Sequence, residues 1–188
     1  RSDSHAVLEF VYKPSTNAEM AKFPHRFTSK LEITFGQELH LVLSMKNTDD
    51  EAFYVDEALH SYFNVSDVRE IYVHGLDGAK ELDTVRDTQG IHEGPLSFTK
   101  GRVDSIFDTS NGAIIEDPGF KRRIIIEKEH SASTIVWNPA ESKAADMHHE
   151  DWKHFVCVEV GNVRRNALLL RPGQSHWMSL TIKVEELV

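Results

Sequence analysis

Apolar residues alternate with polar ones along much of the chain, the period that lines one face of a β-strand. Leu39, Leu41, Leu43 and Met45 share a face near the first third. Met178, Leu180, Ile182 and Val184 do so near the end, interleaved with Ser179, Thr181, Lys183 and Glu185. Less regular stretches predict further strands over Val7 to Tyr12, Lys30 to Phe35, Val68 to Val73, Arg122 to Glu127, Thr134 to Trp137 and Phe155 to Val160. The breaks carry turn chemistry: Gly75-Leu76-Asp77-Gly78, Asn111-Gly112, Asp117-Pro118-Gly119 and Arg171-Pro172-Gly173 hold residues that accept positive φ or preset a turn. The polar stretch from Glu141 to Trp152 reads as a loop with a turn or two, and no long amphipathic helix is predicted. The pattern is that of an all-β antiparallel sandwich occupying residues 1–188 as one domain.

Composition narrows the function classes. The chain has 188 residues, enough for one core, and its formal charge of -9 argues against nucleic acid or an anionic membrane as partner. Lys121-Arg122-Arg123 and Arg164-Arg165 read as solvated strand or loop faces, or as contacts for an anionic ligand. No apolar run approaches the ~18 residues of a membrane span. The start, Arg1-Ser2-Asp3-Ser4-His5, lacks the order of a signal peptide. With a single cysteine, Cys157, the expected location is the cytoplasm.

Glycine-rich phosphate loops, paired Cys-x-x-Cys and Gly-x-Ser-x-Gly elbows are all missing from the sequence, so the chemistry expected is proton transfer or binding without a cofactor. Two contexts stand out. His60, in Glu57-Ala58-Leu59-His60-Ser61-Tyr62-Phe63-Asn64, is a titratable ring among aromatic residues, which suits an oriented general acid and equally a hydrogen-bonded core histidine. Glu159, in Phe155-Val156-Cys157-Val158-Glu159-Val160, is a carboxylate flanked by apolar residues in a predicted strand, where burial raises its pKa or demands a partner. Asp146 to His154 crowds imidazoles and carboxylates together, but at no specific zinc spacing.

Several segments in order resemble the hexose-6-phosphate mutarotases (glucose-6-phosphate 1-epimerases), within the aldose 1-epimerase superfamily. They are Phe23-Pro24-His25-Arg26-Phe27, Ala58-Leu59-His60-Ser61-Tyr62-Phe63, Arg102-Val103-Asp104, Val136-Trp137-Asn138-Pro139, and Phe155 to Glu159 with Gly161-Asn162-Val163. Pro172-Gly173-Gln174-Ser175-His176-Trp177 closes the series. The resemblance implies a sandwich of the galactose mutarotase-like supersandwich type and an isomerase that exchanges the anomers of glucose 6-phosphate or a related aldohexose 6-phosphate. It implies His60 as general acid, Glu159 as general base, Asp104 as a sugar-binding residue and neither metal nor organic cofactor. Trp137 would be an apolar wall for the sugar or an ordinary core tryptophan.

The family's chains extend further at the amino end, and that third carries strands and phosphate-gripping arginines. The domain is therefore expected to be amino-terminally shortened, with Arg26 a surface residue and self-association covering an exposed sheet edge. Three alternatives remain at this point: a non-catalytic carbohydrate-binding or interaction domain of the same fold, a free-aldose 1-epimerase, and a metal-dependent enzyme built on His148 to His154.

Overall fold

A computed structural model describes residues 6–12, 23–142 and 148–187. Its strands are β1 (Ala6–Tyr12), β2 (Phe27–Phe35), β3 (Leu39–Asn47), β4 (Phe53–Val55), β5 (Glu57–Leu59), β6 (Tyr62–Asn64), β7 (Tyr72–His74) and β8 (Lys80–Asp83). There follow β9 (Thr88–Ile91), β10 (Val103–Asp108), β11 (Ala113–Asp117), β12 (Arg122–Glu129), β13 (Ser133–Asn138), β14 (Phe155–Asn162), β15 (Leu168–Leu170) and β16 (Ser175–Glu186). Two antiparallel sheets make up the body. The first runs β1-β2-β3-β16-β12-β11-β7, and the second runs β5-β14-β13-β10-β8-β9 with β6 also on β14.

The core lies between the sheets, and the alternation explains which residues enter it. Ile124, Ile126, Met178 and Leu180 from the first sheet meet Val136, Val156, Val158 and Val160 from the second in one apolar cluster. Every second residue of β14 therefore points inward. The others, Phe155, Cys157 and Glu159, face the opposite side of the sheet, and this outer face carries the site. Towards the far edge of the first sheet the apolar face loses its cover, and Leu8 and Phe10 on β1 are about half exposed.

The predicted strand over Val68 to Val73 is corrected by the structure. Val68–Glu70 is a 3₁₀ turn, capped by the Asp67 side chain accepting from the Arg69 amide, and the strand begins only at Tyr72. Val68, Ile71 and Val73 are all fully buried, so the period of two fails there while the three-residue spacing of Val68 and Ile71 suits a 3₁₀ turn. The stretch from Glu141 contains turns and a short 3₁₀ segment, Asp151–His154, while 143–147 lie outside the described residues.

Where β5 crosses β14, the backbones come close at Gly161. A Cβ there would sit 2.6 Å from the Glu57 carbonyl oxygen and 3.1 Å from the Ala58 Cβ. Gly161→Ala is expected to lose about 1–3 kcal/mol of stability by overpacking, measurable by denaturant unfolding; an unchanged midpoint would show that β5 yields without cost.

Candidate functional site

The geometry follows from one register. β5 pairs with β14 as Glu57↔Asn162, Ala58↔Gly161 and Leu59↔Val160. β6 resumes the same register as Tyr62↔Cys157, Phe63↔Val156 and Asn64↔Phe155. The two short strands are thus one edge strand interrupted at His60-Ser61, and continuing the register sets His60 opposite Glu159. His60 Nε2 lies 3.3 Å from Glu159 Oε1. The ladder breaks at the position from which the imidazole meets the carboxylate.

Burial differs sharply across the pair: the His60 side chain is 52% exposed and that of Glu159 only 8%. The acid candidate reaches solvent while the carboxylate is sunk in the sheet. Desolvation, reinforced by the negative charge of Asp104, pushes Glu159 up to about 7. Near neutral pH it is divided between its two protonation states, the condition in which a carboxyl group can both take and return a proton.

Aromatic rings fix the imidazole. His60 stacks on Tyr62 with centroids 4.9 Å apart and planes 15° apart, and its ring centroid is 6.4 Å from that of Trp137. Tyr62, Trp137 and Phe155 pack mutually, with centroids 5.3 to 6.3 Å apart. The register β10–β13–β14–β6 puts Asp104, Trp137, Cys157 and Tyr62 in one row across the sheet. Trp137 is therefore a partly exposed component of the site face and is absent from the sandwich core. Cys157 beneath it is fully buried, and burial together with Glu159 raises its thiol far from thiolate formation, so it offers no nucleophile.

Asp104 accepts from the Arg102 guanidinium at 3.0 Å. Its charge supports the high pKa of Glu159, so Asp104→Asn is expected to lower it. A carbon-13 NMR titration of the Glu159 carboxyl checks this; a midpoint unmoved or raised would remove Asp104 as a cause. Depressions of about 340 and about 500 Å³ flank Arg102, and neither is lined by His60 or Glu159.

Other candidates are occupied elsewhere. Arg26 binds Asp49 and Asp50 and is exposed, as expected for a surface residue. Arg123 pairs with Glu116, Arg122 donates to the Asn64 carbonyl, and Arg165 pairs with Asp108, so these basic residues serve the fold. In the His148–His154 stretch, His149 meets Glu150 and His154 meets the Ser66 carbonyl. Among the described residues no three His, Cys, Asp or Glu side chains converge as a metal site, and Asp146 lies outside them. No described helix is long and apolar enough to cross a membrane. Of the aromatic residues next to His60 in the sequence, Tyr62 stacks on it while Phe63 is buried in the core; Phe155 as a ring support was not singled out from the sequence.

Comparison with known proteins shows the family and the fold. The family model described as Aldose 1-epimerase matches residues 1–183. A protein of Cenchrus ciliaris named "Putative glucose-6-phosphate 1-epimerase" is 29% identical over 178 residues, covering 90% of this chain and 54% of its own. One of the same name from Salmonella typhimurium is 28% identical over 162 residues, covering 84% and 53%. The chain thus spans about half the length of these relatives. The crystal structure of a "putative mutarotase" from Salmonella typhimurium superimposes with a TM-score of 0.85 at 26% identity, over 97% of this chain and 63% of that one. The fold is the galactose mutarotase-like sandwich, and with the family model matching nearly its whole length, the chain belongs to the aldose 1-epimerase family.

Proposed function

We propose that this chain interconverts the α and β anomers of an aldohexose 6-phosphate, glucose 6-phosphate being the first candidate, by acid–base ring opening and closure. The observation that carries the proposal is the His60–Glu159 pair: a half-exposed imidazole 3.3 Å from a buried carboxylate whose pKa stands at about 7.

Opening a pyranose removes the proton of the anomeric hydroxyl as the C1–O5 bond breaks, and O5 must gain a proton. Glu159 in its carboxylate form takes the first proton and protonated His60 supplies the second. Rotation about C1–C2 presents the other face of the aldehyde, and closure with the roles reversed gives the other anomer. Atoms and charge balance without redox chemistry. The Tyr62–Trp137–Phe155 surface gives the apolar face of the sugar a wall, and Asp104 accepts from its hydroxyls.

Preference for a phosphorylated sugar is supported by the names of the relatives, and Arg102, half exposed and ion-paired with Asp104 on the site face, is the cation we assign to the phosphate. Anomer exchange followed by NMR magnetisation transfer is expected to be faster with glucose 6-phosphate than with glucose, and Arg102→Ala is expected to narrow the difference. Equal rates for both sugars in the parent would favour a free-aldose 1-epimerase, and binding without exchange a carbohydrate-binding domain.

A further inference from the structure

Glu57 is a charged residue that the proposed proton transfers do not use, and its side chain is only 2% exposed. It stands three positions before His60, while its cross-strand partner Asn162 stands three after Glu159. Glu57 Oε1 accepts from Asn162 Nδ2 at 2.9 Å and lies 3.0 Å from His176 Nε2. His176 belongs to β16 of the opposite sheet, so the contact ties the edge strand to the other half of the sandwich. Asn162 Nδ2 also donates to the His130 carbonyl at 2.9 Å, and the His130 ring centroid lies 6.4 Å from that of His176.

Resting on the acid–base reading of His60 and Glu159, we infer that Glu57 is a positioning residue: clasped by Asn162 and His176, it locks β5 in the register that holds His60 against Glu159.

Two observations favour this over a purely stabilising role. Glu57 Oε2 is buried without a hydrogen-bond partner among the described residues, and a half-satisfied buried carboxylate costs stability that an apolar residue would not. Burial pushes its pKa up while Asn162 and His176 pull it back, so the clasp opposes a real desolvation cost. The need for a lock is also visible. β14 is held on its other side by a continuous ladder to β13, and Ser131 Oγ bonds both the amide and the carbonyl of Gly161. β5 has three residues and one neighbouring strand, and the ladder resumes only at Tyr62, so no ladder bond falls at His60-Ser61 itself. A displacement of about 1 Å in a catalytic group costs on the order of 10²-fold in rate.

The test reads geometry and rate separately. The His60 ring resonances, assigned by their loss in His60→Ala, are expected to shift when Glu159→Gln is introduced into the parent. In a Glu57→Ala background that response is expected to vanish, with kcat for glucose 6-phosphate lowered by about 10- to 100-fold and KM little changed. Glu57→Gln, whose amide oxygen can accept from both Asn162 and His176, is expected to restore both. Should Glu57→Ala not fold, His176→Ala, which leaves the Asn162 bond, decides in the same way. An undiminished ring response in the Ala variants, or a loss confined to KM, overturns the inference. Because the ring response needs no turnover, a parent without exchange activity would reject the proposed reaction and still leave the clasp decided by NMR.

Discussion

Glu159→Gln is expected to fold normally and to lower anomer exchange by ~10²–10⁴-fold, the usual contribution of one positioned proton transfer. The substitution keeps the shape of a side chain that is only 8% exposed and removes the proton-accepting capacity that the proposed reaction assigns to it. Its effect on stability distinguishes lost chemistry from lost fold. Burial holds the folded pKa of Glu159 near 7, above its ordinary 4.5, so between these values the native state binds more protons than the unfolded one. Stability contributed by the neutral form is present below about 4.5 and is lost as pH rises through about 7. The Gln variant escapes this loss and is expected to resist denaturant at least as well as the parent above neutrality. If Glu159 is the base, kcat/KM of the parent is expected to rise with pH through about 7. Exchange at the parent rate in the folded variant would remove Glu159 as the base.

His60→Ala is expected to cost a similar ~10²–10⁴-fold through the complementary step, protonation of the ring oxygen. The imidazole is half exposed and stacked on a tyrosine that is itself exposed, so its removal opens no core cavity. The stability change is expected to stay within about 0.5 kcal/mol, the range of surface substitutions. The gap beside Tyr62 also remains open to solvent. Added imidazole is therefore expected to recover part of the exchange in the variant, whereas a residue with a packing role would show no such recovery. NMR exchange rates with and without imidazole decide between them.

The strands legible in the sequence are those long enough to show their period. Leu39 to Met45 and Met178 to Val184 each run seven residues with one apolar face, and both fall within observed strands. β4, β5, β6 and β15 have three residues each, too few to display an alternation. At Val68 to Val73 apolar residues suggested a strand, but the Asp67 cap and an inward-facing Ile71 made a 3₁₀ turn the better way to bury them.

The site was legible in a different way. His60 and Glu159 were singled out by local context and by resemblance, but alternation says which face a residue occupies, not which strand lies beside it. Their opposition depends on the shared register of β5 and β6 with β14, a pairing between segments about a hundred residues apart. The Glu57–His176 contact likewise joins segments far apart in the chain and had no local signature, whereas the stack of His60 on Tyr62 was foreshadowed by their two-residue spacing.

The most direct test of the His60–Glu159 pair is magnetisation transfer between the α and β anomeric protons of glucose 6-phosphate, slightly above neutral pH. The parent chain and a His60→Ala/Glu159→Gln double variant would be measured side by side. The pair predicts exchange well above buffer in the parent and buffer-level exchange in the double variant. A parent no faster than buffer, or a double variant as fast as the parent, would contradict it.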